Sequence, residues 1–325
     1  PSHVTQIIPP FSLWWVAMVH DYALWRDDLP FVRGLMPGVR EVLDRFLLLR
    51  NVHGLVAALP GWNFMDWCPE WRSGVPPDGE LGVSGLINWQ LALVLTLGAQ
   101  LEEWLGEAEL AARARRAAGE LARRITEHFW DGERGLFADD LGHGHFSEHS
   151  QCLAILSGLL DDERSRSVAD GLLWDQGLVR TTIYFTHYLF ETYAALGRGD
   201  MLLARLQPWL ELPALGFKTT FEMPEPSRSD CHAWGAHPLL HYYASILGIR
   251  PAVQGFRAVE IRPRLGPLTA ARGSMVHPRG TITVDLRVED GALRGEITLP
   301  HGVPGTLIVD GRSMALVPGH NRVEG

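Results

Sequence analysis

ELPALGFKTTFEMPEPSRSDCHAWGAHP, residues 211–238, interrupts a chain that otherwise reads as helix up to about residue 250. Glu222 follows an apolar, β-branched stretch, Phe217–Phe221. Ten residues on come His232 and Trp234, at what reads as the opening of a helix. A carboxylate, an imidazole and an indole at an element end suit chemistry on a sugar. The indole offers a flat apolar face, and the carboxylate can act as a base. The same three residues also fit a surface Glu with a core His and a core Trp.

Outward from this stretch, apolar spacing predicts helices. Leu86, Trp89, Leu93, Val94, Leu97, Leu101, Trp104 and Leu105 share one face, and Leu110, Ala114, Leu121, Ile125 and Phe129 another. Gly106 marks the turn between them. Similar patterns cover roughly 11–26, 28–51, 146–160, 162–174, 180–196, 199–212 and 232–248, giving about nine antiparallel helices with no strict repeat. Two long irregular stretches break the series: 60–82, rich in Pro, Gly and Trp, and 213–231. Long loops in a compact helical domain usually carry function. After Pro251 the period becomes two. Ile282, Val284, Leu286 and Val288 alternate with polar residues, Asp290-Gly291 is a hairpin signal, and strand patterns follow through 293–299, 306–309 and 314–317. The expected organisation is a helical domain over 1–250 and a small antiparallel β-domain over 251–325.

The 325 residues are 46% apolar, enough to bury the core of one large domain and a small one. The net charge of −9 has acid and base interspersed and no basic run, which argues against nucleic acid as a partner. No apolar run reaches membrane-spanning length. The three cysteines, Cys68, Cys152 and Cys231, are widely separated and define neither a disulfide framework nor a metal-ligand spacing. Several of the 12 tryptophans (Trp14, Trp15, Trp62, Trp67 and Trp71) fall in loops or at element ends, where indoles stack on flat ligands. Compartment and oligomeric state are not legible.

The wording of particular segments adds a family. TTFE, SRSDCHAW, HPLLHYYASILGIRP and GF…IRPRLGPL resemble the C-terminal half of the α-L-rhamnosidases of glycoside hydrolase family 78. SLWWVAMVHDY, FMDW, HSQCLAILSGL, FTHYLFETYAALGR and GSMVHPRGTITV resemble further segments in the expected order. The resemblance implies a mostly α fold: an (α/α)6 toroid whose loops at one end build the site, followed by a β-sandwich. It implies an inverting glycosidase acting on rhamnosides, with no cofactor. The family's acidic motif, resembling D-x-P-x-R-(D/E)-R…W-x-G-D and carrying the general acid, has no counterpart here. The chain opens at Pro1 on text that follows that motif, so the expectation is an incomplete toroid, the C-terminal part of a longer enzyme.

By this resemblance Glu222 is the general base. Inversion asks it to activate a water opposite a second carboxyl group roughly 6.5–9.5 Å away. Glu225, after Pro224, reads as solvated. His232 lies in text that binds ligand in the family, where an imidazole can bond a sugar hydroxyl; Trp234 is a stacking or core residue. Trp67 and Trp15 resemble positions walling the sugar pocket, suited to the methyl of a 6-deoxy sugar, with Trp14 as the rival register. Asp66 either binds a hydroxyl or caps a turn. No metal is implied: His237 and His241 share a helical face without a third ligand, and the HGHFSEH run, His143–His149, reads as a polar loop. A carbohydrate-binding chain without activity and another toroid sugar enzyme remain open alternatives.

Overall fold

The computed structural model describes residues 6–57 and 59–324. Helices α1 (Pro9–Trp25), α2 (Leu29–Leu48), α3 (Gly85–Trp104), α4 (Ala108–Phe129), α5 (Glu148–Ser157), α6 (Asp162–Trp174), α7 (Thr186–Ala195), α8 (Gly199–Arg205), α9 (Gln207–Glu211) and α10 (Pro238–His241) come first. A short hairpin, β1 (Trp130–Asp131) with β2 (Leu136–Phe137), sits between α4 and α5. The described residues cluster into two compact units. One holds the chain up to Asp21, then Pro30–Thr192 and Met223–Pro226; the other holds Tyr22–Leu29, Tyr193–Glu222 and the chain from Ser227.

In the first unit, α3 is apolar on every face and buried along most of its length, as a central helix must be. Asn88 is buried on α3 with its amide satisfied: it accepts from Val56 N at 2.8 Å and donates to Val56 O at 2.9 Å. α4 presents one stripe, Ala111, Ala118, Leu121, Ala122, Ile125 and Phe129. Gly106, at φ +83°, makes the tight turn between the two helices that the sequence predicts. Arg40 on α2 grips Glu102 on α3 with two bonds, 2.7 and 2.8 Å.

Three expected helices differ from their sequence bounds. The 180–196 helix starts only at Thr186, because carboxylates outside the helix take the backbone N–H groups before it. Thr181 N donates to Glu148 and Thr182 N to Asp66, each at 2.7 Å. The 199–212 helix breaks at Leu206, where Pro208 lacks the N–H that would continue the ladder. The 232–248 helix is a 3-10 turn (Ala233–Ala236), then α10, then a π turn over Tyr242–Ile246, with Pro238 starting the α segment.

The second unit contains two four-stranded sheets. One runs β10 (Gly319–Glu324), β7 (Ala292–Leu299), β6 (Gly280–Glu289), β5 (Ala270–His277); the other runs β3 (Ile249–Pro251), β4 (Val259–Ile261), β8 (Gly305–Val309), β9 (Arg312–Leu316). Every pairing is antiparallel except β4 with β8, which is parallel and departs from the all-antiparallel expectation. Inward residues of both sheets share one core: Ile261, Leu307 and Leu316 with Val284, Leu286 and Ile297. Asp290-Gly291 turns β6 into β7 with φ of +52° and +79°, the type I′ geometry its wording predicts. Asp310-Gly311 does the same between β8 and β9, at +48° and +75°.

Candidate functional site

In the first unit, the segment between α2 and α3 carries the aromatic loop. Phe64 is buried beneath two half-buried indoles, with ring centroids 5.0 Å from Trp62 and 4.8 Å from Trp67. Phe11 meets Phe64 edge-on at 5.9 Å, and Tyr184 lies 6.1 Å from Phe64. Trp62 is tied down by its indole N–H, which donates to Ser73 O at 2.8 Å. A rigid wall of this kind offers apolar faces without paying much rotamer entropy. Phe11 and Tyr184 were not singled out in the sequence, because neither stands in a Trp-rich loop.

Asp66, immediately before Trp67, is fully buried. Its Oδ1 accepts from Trp67 N at 2.9 Å and from the Thr182 hydroxyl, and its Oδ2 accepts from Thr182 N at 2.7 Å and from His149 Nε2 at 2.9 Å. These donors fill the carboxylate, and its direct effect is to fix the backbone that carries Trp67. His149 stands in the first turn of α5, at the end of the run read as a polar loop. Its ring sits between Trp71 at 4.5 Å and Phe185 at 4.4 Å. Cys68 joins the cluster, buried with its thiol 3.4 Å from Arg180 O, and burial together with the Asp66 charge pushes that thiol well up.

Trp15 is half-buried within α1 and lies over Gly38 of α2, where an added Cβ would meet the ring at 3.0 Å. Its rival Trp14 is buried and stacks on Tyr188 at 4.1 Å. Between the two registers, Trp15 is the indole with free surface.

In the second unit, Glu222 lies in the irregular segment between α9 and the 3-10 turn, and no strand forms over Phe217–Phe221. The segment is held across its base. Glu222 N donates to Ser229 O at 2.9 Å, and His232 N donates to Thr220 O at 2.8 Å. Trp234 donates its indole N–H to the Glu222 carbonyl at 2.7 Å, and the His232 and Trp234 rings are 4.3 Å apart. The Glu222 residue is only 6% exposed. His232 Nδ1 is 3.7 Å from one carboxylate oxygen, and Arg228 Nη1 is 3.8 Å from the other. The turn that His232 opens has four residues, and His232 makes no side-chain cap. Glu225 is exposed, as its loop wording suggests. His237 and His241 rings are 5.6 Å apart, with His241 buried and bonded to Ser245 Oγ at 2.9 Å.

Comparison with known proteins fits this layout. Residues 3–246 match the bacterial alpha-L-rhamnosidase 6 hairpin glycosidase domain, and 248–324 match the bacterial alpha-L-rhamnosidase C-terminal domain. A GH78 family rhamnosidase of Bacillus sp. GL1 superposes with a TM-score of 0.84 at 25% identity, over 95% of this chain and 34% of its own. The Streptomyces avermitilis alpha-L-rhamnosidase complexed with L-rhamnose gives a TM-score of 0.74 at 19% identity, over 93% of this chain and 31% of its own. A cellobionic acid phosphorylase from Neurospora crassa is 30% identical over 158 residues, 44% of this chain and 19% of its own length. The chain therefore spans about a third of these rhamnosidases and less of the phosphorylase. With a family match that runs over most of its length, the chain belongs to the bacterial alpha-L-rhamnosidases, as a six-hairpin glycosidase domain followed by a β-rich C-terminal domain.

Proposed function

We propose that this chain carries the base half of an inverting α-L-rhamnosidase, with Glu222 activating the water that attacks the sugar. The observation that carries the reading is the Glu222 carboxylate, 6% exposed, with His232 and Arg228 nitrogens 3.7 and 3.8 Å from its oxygens, in family-like text. His232 would bond a sugar hydroxyl. Trp67 and Trp15 would pack on the apolar parts of a 6-deoxy sugar, and Trp234 would hold the Glu222 backbone in place. Asp66 would act through the loop it fixes. The substrate class is a terminal rhamnoside, and no nucleic acid or membrane enters the chemistry.

No carboxylate in residues 1–325 stands in text like the family's acid motif, so the reading assigns a base and no acid. Acid catalysis of leaving-group departure typically contributes about 10²–10⁴-fold. The chain by itself should therefore release nitrophenol slowly from an aryl α-L-rhamnoside and act negligibly on alkyl rhamnosides. Glu222→Gln keeps shape and hydrogen bonding but removes basicity. It should lower that slow turnover at least about 100-fold and leave L-rhamnose binding, followed by calorimetry, largely unchanged. Equal turnover in the variant would move the base elsewhere, with Glu225 next to test. The phosphorylase match supports a second reading, and rate acceleration by inorganic phosphate would favour it.

A further inference from the structure

Asp66 and Cys68, two positions apart, meet His149, more than eighty residues further on, in the interior of the first unit, at 0%, 3% and 0% exposure. Their donor atoms converge: Cys68 Sγ is 3.6 Å from His149 Nε2 and 3.8 Å from Asp66 Oδ2, and Nε2 to Oδ2 is 2.9 Å. The trio is not a nucleophile relay. Thiol and carboxylate both face the same ring nitrogen, whereas a relay needs one on each.

We propose that these three side chains form a structural zinc site. Zinc bonds of about 2.0–2.3 Å in tetrahedral array put neighbouring donors about 3.3–3.7 Å apart. Two of the three separations already fall near that range, and the third must open by about 0.4 Å. Loading replaces the His149–Asp66 hydrogen bond and leaves the carboxylate held by Thr182 N, the Thr182 hydroxyl and Trp67 N. Such outer bonds orient metal ligands elsewhere. The Arg180 carbonyl, 3.4 Å from Sγ, or a water completes the fourth position.

The charges also balance. Zn²⁺ binds as the Cys68 thiol gives up its proton to solvent and the His149 ring moves its proton from Nε2 to Nδ1; cation, thiolate and carboxylate then sum to zero around a neutral imidazole. A neutral set is what full burial requires. Soft sulfur with nitrogen and oxygen selects zinc over calcium or magnesium, which prefer all-oxygen shells. Trp67 lies between two of the ligands, so the metal would lock the aromatic wall to α5.

The test uses the chain with Cys231→Ser, which removes the exposed thiol. Protein purified without chelator should contain one equivalent of zinc, and Co²⁺ exchange should produce a thiolate-to-cobalt charge-transfer band. Chelation should lower the melting temperature, and zinc should restore it. Cys68→Ser should abolish the band and weaken zinc at least about tenfold. If cobalt-loaded, folded protein with Cys68 intact shows no band, the site is refuted without reference to any variant. A band that survives Cys68→Ser refutes it equally.

Discussion

Asp139 illustrates what one buried carboxyl group does to the whole molecule's pH response. It is fully buried; Ser147 and Ser150 donate to its Oδ1 at 2.9 and 2.6 Å, and Oδ2 has no hydrogen-bond partner among the described residues. Desolvation raises its pKa to about 7 against the serine bonds that lower it. From roughly pH 4 to pH 7 the folded state therefore keeps a proton that the unfolded chain has lost. The sign follows: this group's contribution is full below about pH 4, declines as pH rises, and is flat above about pH 7. The displacement is worth about 4 kcal/mol at most. Asp139→Asn cannot ionise, so denaturant titrations should show wild type losing stability relative to the variant between about pH 4 and about pH 7. A constant difference across that range would mean Asp139 titrates normally.

At this scale the sequence was half legible. The residues near one another in sequence, Glu222, His232 and Trp234, are neighbours in space because a short segment closed by two backbone bonds folds back on itself. Local wording can carry that. The Asp66–Cys68–His149 cluster could not be read, since His149 joins the other two only through the packing of α5 against a distant loop.

Among elements, the α2–α3 contact depends on one polar pair in an apolar seam. Glu102 is 5% exposed and both its oxygens are held by Arg40. Removing one partner strands a buried charge, whereas removing both does not. Arg40→Met should destabilise the fold by about 2–3 kcal/mol, and adding Glu102→Met should recover most of that loss. A double mutant that is merely additive, by urea denaturation, would show the pair contributes nothing specific. Helix positions were legible because burial on one face imposes a period that every stable helix must obey. Helix quality was not. A 3-10 turn, an α turn and a π turn leave nearly the same apolar spacing, so 232–248 reads as one helix although its backbone changes hydrogen-bond pattern twice. The hairpins β6–β7 and β8–β9 had local turn signals, while the parallel β4–β8 pair joins segments far apart and has none.

The second unit as a whole is discontinuous in sequence. Trp25 packs on Phe256 with ring centroids 5.1 Å apart, and Asp27 accepts from Arg257 Nε at 3.0 Å. That bond, with Arg257's charge, holds the Asp27 carboxyl below its usual range. The sandwich core includes Phe256, against which Trp25 lies. A fragment of residues 248–325 should therefore be less stable than its strands suggest. Its midpoint in urea should fall below that of the same transition in the full chain, and Phe256→Ala should narrow the gap. Equal midpoints would mean the Tyr22–Leu29 segment adds nothing.

This discontinuity also sets a clock on biosynthesis. Asp27 and Arg257 are 230 positions apart. At about 5–20 residues per second, Trp25 and its neighbours leave the ribosome on the order of ten to fifty seconds before their partners do. For that interval a tryptophan-bearing strip has no lasting place to rest, while the helices downstream of it are already being made. Nascent chains of this protein should thus be clients of whatever chaperone binds exposed indoles. Slowing synthesis should cost yield rather than improve it.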